Sequence, residues 1–370
     1  DGPGAFWVGV AATPDGRLAV ARRFPHGVNV FERDGTLVAS FDTPEVTNAN
    51  ADLAVFADGT FAVCDFQGHS IELYDSGGSH VGSFTAPGMA EPWGSYMDAS
   101  GELWVATDSG LWRFDRSGAV VGTLLTGSKS DVAVPGDGTL WELSFDGTVI
   151  RRDLSGALLS SFSTALGGGS HYGLAVSNDL TVYVTRWPLD TVFRFEFDGT
   201  PLPPIQLPAG SGPLFPMILD APGSGFPYCT GKVNSLGCLP AIRSAGVPRA
   251  SGDLGFTVSA SNVRNAKPGL LLYTLSGRAA VPFHGGVLCL APPVLRTPPR
   301  SSGGPPPPIQ NCGGGWRIDM NAFAAGLAGG TPHPGLRVPG TFVHCQWWGR
   351  DPGDAFGSTL TDALQYEIAP

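Results

Sequence analysis

The stretch Asp52-Leu53-Ala54-Val55-Phe56-Ala57-Asp58-Gly59-Thr60-Phe61-Ala62-Val63 decides the fold. It reads as a strand of small and apolar residues, a turn on Asp-Gly, and a second apolar strand. The phrase returns along the chain. Gly9-Val10-Ala11 precedes Asp15-Gly16, and Gly94-Ser95-Tyr96 precedes Ser100-Gly101. Asp131-Val132-Ala133-Val134 precedes Asp137-Gly138, and Gly173-Leu174-Ala175-Val176 precedes Asn178-Asp179-Leu180. Turn positions 16, 59, 101, 138 and 180 lie 43, 42, 37 and 42 residues apart. A second turn also recurs, at Asp34-Gly35, Gly77-Gly78, Ser117-Gly118, Ser155-Gly156 and Asp198-Gly199. Such turns need positive φ, which Gly supplies without steric cost. Four short strands in about 40 residues, repeated five times, are the signature of β-propeller blades.

The fold class expected is therefore all-β, with a five-bladed propeller over residues 1–208. Residues 209–226 are rich in Gly and Pro and read as a linker, in which Phe215 and Met217 are expected to pack. Beyond 227 the period is lost. Gly255–Ala260, Leu270–Tyr273 and Thr341–Cys345 read as strands, Asn321–Leu327 as one short helix, and the proline-rich run Pro292–Pro308 as an extended loop excluded from any central strand. Residues 227–370 are expected to form a β-sandwich-like domain.

Composition agrees. The chain has 370 residues with 53 Gly and 33 Pro, 42% hydrophobic and only 15% charged residues. It is long and apolar enough to bury a core, which excludes pervasive disorder. No run of 18 apolar residues exists, so no membrane-spanning helix is expected. A net charge of −10 argues against a nucleic-acid partner. The charge is split: residues 1–208 carry 11 Lys/Arg against 25 Asp/Glu, and residues 209–370 carry 11 against 7. An acidic propeller and a mildly basic second domain suit head-to-tail association between copies.

Five of the six cysteines follow residue 225. Cys229, Cys238, Cys289 and Cys312 are expected in disulfides, with Cys229–Cys238 and Cys289–Cys312 the cheapest loops to close, although six cysteines allow 15 pairings. Cys64 and Cys345 sit inside strands and suit either a buried free thiol or a bridge. A start at Asp1-Gly2-Pro3 without Met is compatible with removal of an export signal. Together these place the protein outside the cell or on its surface.

The first 208 residues resemble the NHL-type and SMP-30-like propeller repeats. Those families often close six blades. With five in the sequence, either the ring is five-bladed or something outside the repeats completes it. The second half resembles a C-terminal module of large secreted proteins from planctomycetes and related bacteria. The resemblance rests on Tyr228–Cys238, on Gly285-Gly286-Val287-Leu288-Cys289 leading to Arg296-Thr297, and on Gln346–Pro352 with Leu360–Leu364. It implies export from a bacterial cell and no known catalytic chemistry.

Residues just before each innermost strand are expected at the channel mouth. Aligning the turns puts Trp7, Asn50, Pro92, Lys129 and His171 at one position, with Asp52, Trp93, Asp131 and Tyr172 close behind. Trp7, Asn50, Asp52, Trp93, Asp131, His171 and Tyr172 are thus the candidate ligand-binding set. The SMP-30-like lactonases hold a divalent metal with a Glu, an Asn and an Asp, and no inner position here carries the Glu. No Gly-x-Ser-x-Gly elbow, phosphate loop, dinucleotide fingerprint, Cys-x-x-Cys metal spacing or calcium loop occurs. No catalytic residue, metal or cofactor is therefore assigned. Adjacent Trp347 and Trp348 point to opposite faces of their strand, and the outward one is a candidate contact for a partner or glycan. The expected function is a secreted, non-enzymatic binding or structural protein whose partners are other proteins, copies of itself or a surface glycan. The alternative is a propeller lyase or a metal-dependent lactonase, with His171 or Asn50, Asp52 and Asp131 at its site.

Overall fold

The computed structural model describes residues 6–47, 50–135, 137–167, 169–217 and 225–370. The expected N-terminal processing at Asp1-Gly2-Pro3 and residues 218–224 of the expected linker lie outside the described residues. The chain divides into two compact units. The first holds the five blades and the segment through Met217. The second holds the residues from Gly225 onward together with the turn Ser177–Thr181.

Each repeat is a four-stranded antiparallel meander. The innermost strands are Phe6–Ala12, Asn50–Val55, Pro92–Met97, Asp131–Ala133 and His171–Val176. The first two strands of a blade are joined by the quoted turn, and its third and fourth by the second turn. In the second turn an Asp side chain substitutes for missing backbone partners. Asp115 Oδ1 accepts from the amides of Ser117 and Ala119 at 2.8 and 3.1 Å, while Gly118 takes φ 85°. Asp75 and Asp153 repeat the arrangement in the neighbouring blades. This is why the strand ends Tyr74-Asp75 and Phe114-Asp115 recur with Gly three residues beyond Asp.

Blades are held together by a repeated ratchet. The apolar residue ending one blade's outer strand lies over the second-turn Gly of the next. Phe41 covers Gly78, Phe84 covers Gly118, Leu124 covers Gly156 and Phe162 covers Gly199. A Cβ on Gly118 would stand 2.5 Å from Phe84 Cδ1. Each of these outer strands thus gives one apolar residue to the neighbouring blade, while others such as Val81 and Leu158 stay exposed.

The ring is completed by the Gly/Pro stretch. The inner strands of blades 1 to 5 touch in sequence order, while those of blades 5 and 1 are bridged by Leu214–Met217. Leu214 is buried in the core cluster of blades 1 and 2, and Phe215 packs against that cluster with Tyr172 of blade 5. Thr185 Oγ1 donates to the Leu214 carbonyl. That carbonyl and Pro216 lie so close to Gly173 that only a residue without Cβ fits there. The segment read as a linker is, as far as Met217, a sixth stave of the ring.

In the second unit a three-stranded sheet (Ala241–Gly246, Phe256–Val263, Gly314–Asp319) faces a larger sheet built on Pro268–Thr274, Phe342–Arg350 and Ser358–Glu367. One core joins them, with Phe256, Trp316 and Ile318 from the first and Tyr273, Val343, Trp347 and Tyr366 from the second. This is a β-sandwich. The short helix is Met320–Ala324. The proline-rich run supplies only Leu295–Arg296 and Arg300–Ser301, paired at the sheet's edge. Two disulfides form, Cys229–Cys289 and Cys238–Cys312. The four expected cysteines are bridged, but the pairing corrects the shortest-loop expectation, because each bridge joins segments that the sandwich brings together from 60 and 74 residues apart. Cys64 and Cys345 are buried free thiols.

Candidate functional site

The aligned mouth position does not face the channel. A bulge breaks the ladder between Trp7 and Val10, between Asn50 and Leu53, and between His171 and Gly173. An extra residue in one strand reverses which way its neighbours point. Asn50 is fully buried, and its Nδ2 donates to the carbonyls of Arg22 and Gly27 at 2.9 and 3.1 Å. His171 is 1% exposed. Its Nδ1 lies 3.1 Å from Phe145 O and its Nε2 3.2 Å from Thr164 Oγ1. Burial depresses its pKa, disfavouring the charged ring. Lys129 is turned back too, its Nζ 3.1 Å from Thr126 O. Asn50, Lys129 and His171 bind the preceding blade or its connecting loop, and of the three only Asn50 meets the small space left at the mouth. Trp7 makes an edge contact with Phe31 within its own blade.

Trp93 and Tyr172 do converge. Trp93 packs on Phe66 with centroids 4.0 Å apart, on Phe145 at 5.1 Å and on Tyr172 at 6.0 Å, and its Nε1 donates to Asp108 at 2.9 Å. These four rings come from blades 2, 3, 4 and 5 and plug the mouth. Only about 10 Å³ of space remains beside them. Phe66 and Phe145 were not legible as site residues, because they lie in connecting loops whose sequences differ from blade to blade.

Beneath the plug is an axial cavity of about 250 Å³, walled by all five inner strands and by Phe215, Pro216 and Met217. Asp52 and Asp131 line it, 4% and 3% exposed. The alternation of Gly and Asp around the ring has a structural cause here. Asp52 lies against Gly9 of the preceding blade and accepts from Ser95 N of the next at 2.8 Å. Asp131 lies against Gly94 and accepts from Leu174 N at 2.6 Å. Ser95 Oγ adds a bond to Asp52 at 3.1 Å. Burial pushes Asp52 up to about 7 and Asp131 well above the carboxylate range, and the charge of Asp52 pushes Asp131 further. The amide bonds work against this shift but do not cancel it.

Among the described residues no group of three His, Cys, Asp or Glu is arranged to hold a metal. Asp351 is paired with Arg264 at 2.8 Å, and Asp354 with Lys232 at 2.6 Å. Trp347 is fully buried and stacks on Trp316, with centroids 5.8 Å apart. Trp348 is half-buried on the other face, with the Arg350 guanidinium 5.9 Å from its ring.

No family model matches the sequence, and no curated protein matches it. Solved structures do match in fold. A chain of a nidogen–laminin complex aligns with 58% of this chain and 84% of its own, at 13% identity and a TM-score of 0.50. Virginiamycin B lyase from Staphylococcus aureus aligns with 56% and 73%, at 16% identity and a TM-score of 0.45. The WD40 propeller domain of Doa1 aligns with 55% and 70%, at 18% identity and a TM-score of 0.43. These similarities establish the propeller and nothing finer.

Proposed function

We propose that this chain is an extracellular, non-enzymatic binding protein whose propeller presents an aromatic recognition face to a protein partner, the first candidate being another copy of itself. The observation that carries the reading is the plugged mouth. Trp93, Phe66, Phe145 and Tyr172 close it, and the loops around it add Arg23-Phe24-Pro25 and Arg186-Trp187-Pro188 from blades 1 and 5. Phe24 is 49% and Trp187 38% exposed. Aromatic and Arg side chains on a rigid face are the composition of binding hot spots. The aligned chain of the nidogen–laminin complex lends support at the level of fold only.

The lyase or lactonase alternative needs His171 or Asn50 free to meet a substrate, and both are engaged in bonds that build the ring. Two disulfides in the second unit support an oxidising compartment. No helix is long and apolar enough to cross a membrane. We read the blades as nearest the NHL-type and SMP-30-like repeats, and the second unit as the planctomycete-type secreted module.

Sedimentation velocity over a range of concentrations at low and high salt tests the proposal. The expected result is concentration-dependent association that weakens with salt, as an acidic unit meeting a basic one requires. The substitution of both Phe24 and Trp187 by Ala is expected to weaken it at least tenfold. A monomer at every concentration, with no partner retained from the cell surface, would refute the reading.

A further inference from the structure

The axial cavity lies apart from the recognition face, and the plug does not use it. It begins where the plug ends and runs along the inner strands toward Ala12, Val55, Met97 and Val176. Its volume of about 250 Å³ equals roughly eight water molecules in the liquid. Its wall is mixed: apolar side chains come from strand residues such as Val10, Leu53 and Leu174 and from Phe215 of the sixth stave, and polar surface makes up much of the rest. The polar groups are concentrated at Asp52, Ser95 and Asp131. Binding pockets have this form, apolar side chains around a small number of placed polar groups that fix orientation.

The carboxyls lack a counter-charge. Among the described residues no Lys, Arg or His is ion-paired with Asp52 or Asp131. The other titratable group against them is Cys64, whose thiol burial and the two carboxyls keep protonated. Asp131 accepts one amide on each oxygen, Asp52 accepts Ser95 N and Oγ on Oδ2, and each carboxylate has acceptor sites beyond those bonds. Two buried carboxyls without a cation are costly unless at least one holds a proton. A cation placed between them removes that cost.

We infer that the axial cavity binds a small organic ammonium ion, its charged head between Asp52 and Asp131 and a short alkyl body against the apolar walls. An ammonium group offers three donors, which suit two carboxyls and Ser95 Oγ. A divalent metal does not fit. Calcium wants six to eight oxygen ligands, and among the described residues no three His, Cys, Asp or Glu side chains are grouped to supply them. Binding displaces a proton: the carboxylic O–H is lost to solvent as the carboxylate pairs with the ammonium. Affinity therefore rises with pH through neutrality, where an exposed carboxylate would be fully ionised and indifferent.

The test is calorimetry on the full chain with n-hexylammonium, compared with n-hexanol and with calcium and magnesium chlorides. Hexylammonium is expected to bind one per chain, at least tenfold more tightly than hexanol. It should bind about tenfold more tightly at pH 8 than at pH 6. Titration at pH 6 in buffers of different ionisation enthalpy is expected to show close to one proton released, falling toward none by pH 8. Asp131→Asn is expected to weaken binding at least tenfold. Should that variant fail to fold, the pH dependence and proton release of the unaltered protein still decide the matter. Equal binding of hexanol, binding of the metals in place of the amine, affinity independent of pH, or no binding would each overturn the inference. None of these outcomes bears on the self-association of the recognition face.

Discussion

Replacing Gly118 by Ala, with Gly35→Ala beside it, separates backbone strain from packing between blades. Both glycines occupy the same place in the second turn, with φ 85° and 89°. Placing an L side chain in that region costs about 1–2 kcal/mol. At Gly35 nothing lies within 4 Å of the added Cβ, because blade 1 has no earlier blade against it. At Gly118 the Cβ would stand 2.5 and 2.7 Å from Phe84 Cδ1 and Cε1. Phe84 is 6% exposed and stacked on Phe114 at 5.8 Å, so it cannot swing into solvent without leaving the core. Forcing such a ring aside costs a further 1–3 kcal/mol or so. Gly35→Ala should therefore destabilise by about 1 kcal/mol and Gly118→Ala by about 3 kcal/mol. For a unit of this size that is about 3 and 9 °C in the melting temperature. Calorimetric scans of the full chain, reading the propeller transition, measure both. In a Phe84→Leu background the excess at Gly118 should shrink. Equal losses at the two glycines, or an excess untouched by Phe84→Leu, would refute the ratchet as what holds neighbouring blades.

Three further outcomes are expected. Burial raises the pKa of Asp52 and Asp131 above the unfolded value near 3.8, so the folded state binds their protons more tightly. Their stabilising contribution is complete below about pH 4; that of Asp52 is lost as pH rises through about 7, and that of Asp131 as pH rises through its own raised pKa. Melting temperatures at pH 5.5 and 8 should show this loss in the unaltered protein and a smaller one in Asp131→Asn; the same slope in both would count against it. Leu214→Ala removes the anchor of the sixth stave and should cost about 2–4 kcal/mol, read as a lower propeller transition with the sandwich transition unchanged. Peptide mapping without reduction should recover Cys229 linked to Cys289 and Cys238 to Cys312. Replacing Cys238 and Cys312 by Ser should destabilise the second unit by about 4 kcal/mol, as expected for so long a loop.

The blades were legible in the chain because their causes are local. An Asp that caps its own turn, a Gly at positive φ and two alternating strands all fall within a dozen residues, and repetition makes them conspicuous. The candidate site was legible only in part. Asp52, Asp131, Trp93 and Tyr172 reach the axis, and the equivalence of positions found them. The same equivalence puts Asn50 and His171 at the mouth, yet bulges between Asn50 and Leu53 and between His171 and Gly173 turn them into the preceding blade. A bulge depends on how a strand meets its neighbour, and no turn residue announces it.

What the sequence determines by itself is therefore the repeated unit, the all-β class and the change of architecture after the repeats. Tertiary structure alone decides the rest. It makes the segment through Met217 a sixth stave, because the gap between blades 5 and 1 exists only once five blades have closed around an axis. It also decides which cysteines meet. The entropic advantage of the nine-residue loop Cys229–Cys238 over a bridge spanning 74 residues is only about 2 kcal/mol, since closure entropy grows with the logarithm of length. The packing of two sheets outweighs it by fixing which segments lie within reach. The two carboxyls of the axial cavity follow the same rule: the chain places an Asp at alternate blades, and only ring closure buries both around one space.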